Sequence, residues 1–154
     1  MLHDRGSAAL PFATLGVACV VAGGLVAAAT ALAPSKHGTW AAAYLVLVAG
    51  VAQVALGVGQ ALMAPKPPSS RLVAAQFVGW NAGTAAVLAG TLLDTTALVD
   101  LGGALLIVTL ALLVHGMRGA AARRNGLLYA FRLLIAVLLV SIPIGLTLAR
   151  LRSV

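Results

Sequence analysis

Amide side chains interrupt the apolar stretches of this chain at four places, and they are the groups that could bind a solute. Gln53 and Gln60 lie in one stretch, and Gln76 and Asn81 lie in the next. An amide donates and accepts hydrogen bonds, so within hydrocarbon it needs a partner on another helix or on a solute. The chemistry on offer is therefore hydrogen bonding, either as packing contacts or as the wall of a polar path.

Matching depth in the membrane pairs these amides with polar residues of other stretches. At helical rise, Gln60 and Gln76 each lie about 5–6 Å below the same membrane face, which predicts a contact between them. Asn81 lies at the depth of Thr109. A hydrogen bond between Asn81 and Thr109 is the simpler expectation, and an amide facing a solute path is the alternative.

One arginine lies inside an apolar stretch. At helical rise Arg132 is about 7–8 Å from the end of that stretch, so its side chain can extend to the lipid headgroups. Alternatively, it faces inward beside Gln60 and Gln76, with His115 on the rim of the cluster. The polar cluster predicted within the membrane comprises Gln53, Gln60, Gln76, Asn81, Thr109, His115 and Arg132.

Catalytic groups are scarce in this sequence. It contains no glutamate, and its only carboxylates are Asp4, Asp94 and Asp100, all outside the apolar stretches or at their edges. Proton relays in membranes depend on intramembrane carboxylates or histidines, and acid–base catalysis commonly needs paired carboxylates. The sequence thus assigns no catalytic residue and favours a protein that is not an enzyme.

The histidines leave one redox alternative open. His37 and His115 fall near opposite membrane faces, about 30 Å apart, so they cannot hold one haem together. A single axial histidine is one possibility, and a surface metal site of His37, Asp94 and Asp100 is another. The simpler interpretation is that these are unrelated loop residues, so no metal or cofactor is assigned.

Five apolar stretches carry the amides and Arg132. They run over residues 8–33, 40–63, 72–93, 98–117 and 127–149. Each is near or above the roughly 20 residues that a helix needs to cross a bilayer. Hydrophobic residues make up 62% of the 154 residues and charged residues 8%. The sequence therefore predicts an all-α integral membrane protein, in which residues 1–154 form one bundle of about five transmembrane helices.

Basic residues set the predicted orientation. The formal net charge is +7. Seven basic residues fall on one side, namely Arg5, Lys66, Arg71, Arg118, Arg123, Arg124 and Arg132. Only Lys36, Arg150 and Arg152 fall on the other. The positive-inside rule then places the N-terminus in the cytoplasm and the C-terminus outside. With no basic stripe interleaved with aromatics, nucleic acid is excluded as a partner.

Two further features concern the membrane environment. Trp40 and Tyr44 lie near the outer end of the second stretch, where an aromatic belt is expected. The bias toward alanine, valine, leucine and glycine is typical of a high-GC bacterial protein, which favours the bacterial cytoplasmic membrane.

Glycines in the second and third stretches predict close helix packing. Small residues at helical spacing let two helices approach each other. The predicted packing positions are Gly50, Gly57, Gly79, Gly83 and Gly90. They predict that the second and third spans form a close antiparallel hairpin with Gly83 at the contact.

These features favour a non-enzymatic protein that works by helix association. It would be an accessory or assembly subunit of a larger membrane complex, or a homo-oligomer, with lipid and other membrane subunits as partners. The first alternative is a small transporter or channel with a polar path near Gln53, Gln60, Gln76 and Asn81. The second alternative is a haem or metal redox module using His37 or His115.

Overall fold

The computed structural model describes residues 2–64, 68–117 and 125–152, and this part of the chain is all-helical. Five helices follow one another: α1 (Leu2–Leu32), α2 (Lys36–Met63), α3 (Ser70–Leu92), α4 (Thr96–Gly116) and α5 (Asn125–Arg152). The predicted helices are thus confirmed, with ends shifted by a few residues.

Four of these helices are long and apolar enough to cross a membrane. The qualifying segments are Ala8–Leu32, Lys36–Met63, Ser70–Leu92 and Thr96–Gly116. In α5 the segment that qualifies as apolar is shorter, Tyr129–Ile142. The chain therefore has the composition of a multi-pass membrane protein.

Serine caps begin two of the helices. The Ser35 hydroxyl accepts a hydrogen bond from the Gly38 amide at 3.0 Å, and the Ser69 hydroxyl accepts one from the Leu72 amide at 3.3 Å. A cap of this kind satisfies an amide that has no partner within the helix. Because Ser35 caps α2, this helix starts four residues before the predicted position.

Helix α2 changes its winding in the middle. Residues Leu45–Ala52 form a π-helical segment between two α-helical ones. A π turn holds more residues than an α turn, so side-chain directions along this segment depart from those of a regular α-helix. Such segments are rare and often occur at functional sites.

A strained residue closes the turn between α3 and α4. Asp94 has a φ of 50°, in the left-handed region. The Thr95 amide donates to the Gly90 carbonyl at 2.8 Å, which is the capping pattern of a helix that ends in a left-handed residue. Glycine is the residue best suited to this position.

The effect of replacing Asp94 on stability is therefore expected to depend on how easily the new residue adopts a left-handed φ. We expect Asp94→Gly to stabilise the protein by about 0.5–1 kcal/mol and Asp94→Val to destabilise it by about 1–2 kcal/mol. Unfolding in mixed detergent micelles, followed by circular dichroism, measures both. Equal stability of the two variants would contradict the assigned backbone.

The bundle consists of two hairpins and a fifth helix. Helix α1 packs along α2, and α3 packs along α4. Helix α5 contacts α4 more than α2. The central core brings together side chains of α2, α3, α4 and α5, including the nearly inaccessible Leu56, Trp80, Leu110 and Leu113.

Glycines bring the backbones together within each hairpin. A methyl group on Gly16 would lie 3.0 Å from the Gly50 carbonyl oxygen, and one on Gly102 would lie 2.7 Å from that of Gly83. Gly57 packs against the side chain of Phe12. Each close approach therefore joins α1 to α2 or α3 to α4.

The predicted hairpin of the second and third spans is wrong. Gly50 and Gly57 contact α1, whereas Gly79, Gly83 and Gly90 face α4 or the turn that leads into it. Helices α2 and α3 make only minor contact with each other. The glycines predicted for helix packing do lie at helix contacts, but with other partners.

Candidate functional site

A cavity of about 1490 Å³ opens at the end of the bundle that carries the α1–α2 and α3–α4 turns. We call it the turn-side cavity. Lys36, His37 and Asp94 line its mouth, and its walls include residues of α2, α3, α4 and α5. Its volume exceeds that of a typical small-molecule pocket, about 300–1,000 Å³. The bundle therefore has room for a small molecule at this end.

Aromatic side chains line this cavity. The Trp40 and Tyr44 rings stack with centroids 5.0 Å apart, and both belong to the cavity wall. Trp80 also lines the cavity, where it meets the core, and is only 1% exposed. Trp40 and Tyr44, which were expected in an aromatic belt, thus also line the cavity.

Below Trp80 the bundle is closed by leucines. Leu106 belongs to both the cavity wall and the core. Leu56, Leu110 and Leu113, at most 1% exposed, continue the core. The cavity therefore opens at the turn end and stops at an apolar plug.

Buried polar atoms without a hydrogen-bond partner occur in five side chains of the described residues. They are the Tyr44 hydroxyl, the Trp80 Nε1, both amide atoms of Gln53, the Gln76 Oε1 and the Gln60 Nε2. We call these five residues the polar column. Natural proteins seldom leave such atoms unpaired, because each costs about 1–3 kcal/mol.

Helical rise places the polar column at successive depths. Tyr44 and Trp80 lie about 12 and 18 Å from the turn end of their helices. Gln53, Gln76 and Gln60 lie about 15, 9 and 5 Å from the opposite end. The unpaired groups are thus distributed from the turn-side cavity to the other end of the bundle.

The two glutamines predicted to meet are indeed neighbours. The Gln60 Nε2 and Gln76 Nε2 lie 2.8 and 3.7 Å from the position of a methyl group on Gly116. The Gln76 Nε2 also donates to the Leu112 carbonyl at 3.2 Å. This leaves an unpaired donor on Gln60 close to an unpaired acceptor on Gln76.

Asn81 and Thr109 do not bond to each other as expected. The Asn81 Nδ2 donates to the Phe77 carbonyl at 2.8 Å, and the Thr109 hydroxyl donates to the Leu105 carbonyl at 2.8 Å. Both bonds stay within one helix. Thr109 packs instead against Gly79, because its side chain fills the gap that glycine leaves.

Arg132 and His115 differ from the glutamines in burial. Both side chains are exposed on the bundle surface, whereas Gln53, Gln60 and Gln76 are buried. An exposed arginine near a membrane face fits extension to headgroups better than an internal cluster. The cluster predicted to join Arg132 and His115 to the glutamines stays a prediction.

The metal hypothesis for His37, Asp94 and Asp100 is wrong. In the part of the chain that the structure describes, no group of three histidine, cysteine or acidic side chains could hold a metal ion. The alternative of a haem or metal redox module through His37 or His115 stays a prediction.

Sequence reasoning did not single out Trp80 or Gly102 as important residues. A tryptophan near the middle of a span, away from both interfaces, was the available signal for Trp80. The adjacent pair Gly102 and Gly103 was the signal for the α3–α4 contact.

Comparison with known proteins adds no family. No protein-family model matches the chain, and searches of curated proteins and of solved structures found no match. Function is therefore argued from the cavity and the polar column.

Proposed function

We propose that this protein carries a small solute across the membrane through its own interior. The turn-side cavity is the entrance, and the polar column marks the route beyond it. The apolar plug of Leu56, Leu110 and Leu113 closes this route in the present conformation. The protein is then a carrier open on one face, and transport requires the plug to part.

The observation that carries this proposal is the set of unpaired polar atoms behind the cavity. A bundle that served only to pack could place leucine at Gln53, Gln60 and Gln76 and avoid the cost of burying amides. A solute that bonds to these atoms supplies the partners that they lack. Solute binding would therefore offset the free energy that is lost by burying these amides without partners.

Helix association with other subunits is less well supported than it was from sequence. The glycines that favoured it contact helices of the same chain. The proposal of an accessory subunit or homo-oligomer stays a prediction. Co-purification in mild detergent tests it independently of transport.

We also propose a topology for the membrane-bound protein. Helix α5 acts as a fifth span, the N-terminus is cytoplasmic, and the C-terminus is outside, as the basic residues predict. The turn-side cavity then faces outward. The composition favours the cytoplasmic membrane of a bacterium.

Reporter fusions test this topology. We expect alkaline phosphatase at the C-terminus to be active, because it folds only outside the cytoplasm. Green fluorescent protein at the same position should stay dark. The opposite pair of results would contradict the proposed combination of a cytoplasmic N-terminus with five spans.

Transport itself is tested in proteoliposomes. The purified chain is reconstituted, and the entry of glycerol, potassium and acetate is compared with that in protein-free liposomes. Faster entry of any one of the three supports a carrier or channel. Rates equal to those of empty liposomes for all three would contradict the proposed function.

A further inference from the structure

Resting on the proposed transport function, we infer that the solute is small and neutral and carries both donors and acceptors, as a polyol or a primary amide does. The inference comes from the chemistry of the unpaired atoms, from the placement of charge, and from the neighbouring pair Gln60 and Gln76.

The unpaired atoms of the polar column require both kinds of partner. An indole nitrogen only donates, so Trp80 needs an acceptor. The Gln76 Oε1 only accepts and needs a donor. Gln53 has an unpaired donor and an unpaired acceptor on one amide. A hydroxyl or a primary amide group satisfies both needs, whereas a ketone or an ether satisfies only the donors.

The pair Gln60 and Gln76 repeats this requirement at the opposite end of the column. Their side-chain nitrogens lie near the same point above Gly116. The Gln60 Nε2 offers a proton, and the Gln76 Oε1 offers lone pairs. One hydroxyl between them can accept from the first and donate to the second.

Among the residues that line the turn-side cavity, the charged ones lie at its mouth. Lys36, His37 and Asp94 line the mouth, and they carry groups of both signs. The buried polar side chains of the described residues are all neutral glutamines and threonines. An ion in such an interior would lack a counter-charge, which costs far more than burying a neutral group. The arrangement therefore disfavours ions of either sign.

An apolar solute is disfavoured for a different reason. It would leave every atom of the polar column without a partner. Neutral, hydrogen-bonding solutes cross hydrocarbon slowly on their own, and they can supply hydrogen-bond partners to the polar column.

Stopped-flow swelling of proteoliposomes tests the inference with glycerol and urea as probes. Potassium and acetate entry is measured in the same vesicles. We expect glycerol and urea to enter at least about tenfold faster than in empty liposomes, with the two ions unchanged. Acceleration of an ion without the neutral probes would overturn the solute class and leave transport standing. No acceleration of any probe would overturn the proposed function itself.

Two tyrosine variants test whether the polar column determines the glycerol entry rate. Tyr44→Phe removes only the unpaired hydroxyl, and we expect about threefold to tenfold slower glycerol entry. Tyr129→Phe removes a hydroxyl from a side chain that is 71% exposed on α5, and it serves as the matched control. Equal glycerol rates for Tyr44→Phe and Tyr129→Phe would overturn the role of the column in recognising the solute.

Discussion

Replacing Gln53 by leucine is expected to abolish solute movement while leaving the fold at least as stable as before. The Gln53 side chain is completely buried, and neither amide atom has a partner among the described residues. Leucine has a similar volume and removes two unpaired polar atoms, which should stabilise the fold by up to about 1–3 kcal/mol. Solute entry loses a binding group in mid-membrane and should fall to the rate of empty liposomes.

Asn81→Leu is the matched control for this substitution. Asn81 also lies near mid-membrane, but its amide nitrogen donates to its own helix at the Phe77 carbonyl, whereas both amide atoms of Gln53 are unpaired. We expect Asn81→Leu to keep the wild-type entry rate. A Gln53→Leu variant that is less stable and fully active would show that Gln53 serves packing.

Gly102→Ala is expected to destabilise the bundle by about 1–3 kcal/mol. The added methyl group would lie 2.7 Å from the Gly83 carbonyl oxygen and 2.7 Å from the Val87 amide nitrogen. Both are backbone atoms, so α3 and α4 must move apart. Unfolding in mixed detergent micelles measures the change.

Gly24→Ala provides the control for helix propensity. A methyl group on Gly24 meets no atom within 4 Å. Alanine is a better helix former than glycine, so we expect a gain of up to about 0.5–1 kcal/mol. If Gly102→Ala and Gly24→Ala shift unfolding in the same direction, the close approach of α3 and α4 is incorrect.

The helices were predictable because the signal for a span is long and continuous. A run of about 20 apolar residues in lipid must satisfy its own backbone hydrogen bonds, and a helix does so. The ends shifted where a side chain supplied a cap. Ser35, for example, starts α2 earlier than the apolar run does.

The helices that contact the glycines were predicted wrongly. A stripe of small residues indicates which face of a helix is packed closely, but it does not identify the helix that packs there. Phe12 fills the gap at Gly57, and Thr109 fills the gap at Gly79. The lengths of the loops predict the helix pairs better than the glycines do. Residues 33–35 and 93–95 form short connections, and short connections favour packing of the helices that they join.

Part of the candidate site was also predictable from the sequence. Equal depth predicted a contact between Gln60 and Gln76, and both side chains reach the neighbourhood of Gly116 without a hydrogen bond between their unpaired atoms. Depth does not determine the direction in which a side chain points around its helix, so Asn81 and Thr109 match in depth and yet bond within their own helices. The π-helical segment of α2 changes those directions again, and the apolar sequence of Leu45–Ala52 gives no sign of it.

Blocking the turn-side cavity tests the central claim most directly. In a Cys19→Ala background, Thr91→Cys places a thiol on the cavity wall, and Leu93→Cys places one on a side chain that is 70% exposed at the same end of the bundle. Each variant is labelled in detergent with a bulky maleimide, checked by mass spectrometry, and reconstituted. We predict that labelled Thr91→Cys admits glycerol no faster than empty liposomes, whereas labelled Leu93→Cys keeps the rate of its unlabelled form. Complete labelling at Thr91→Cys with an unchanged glycerol rate would contradict a route through the cavity.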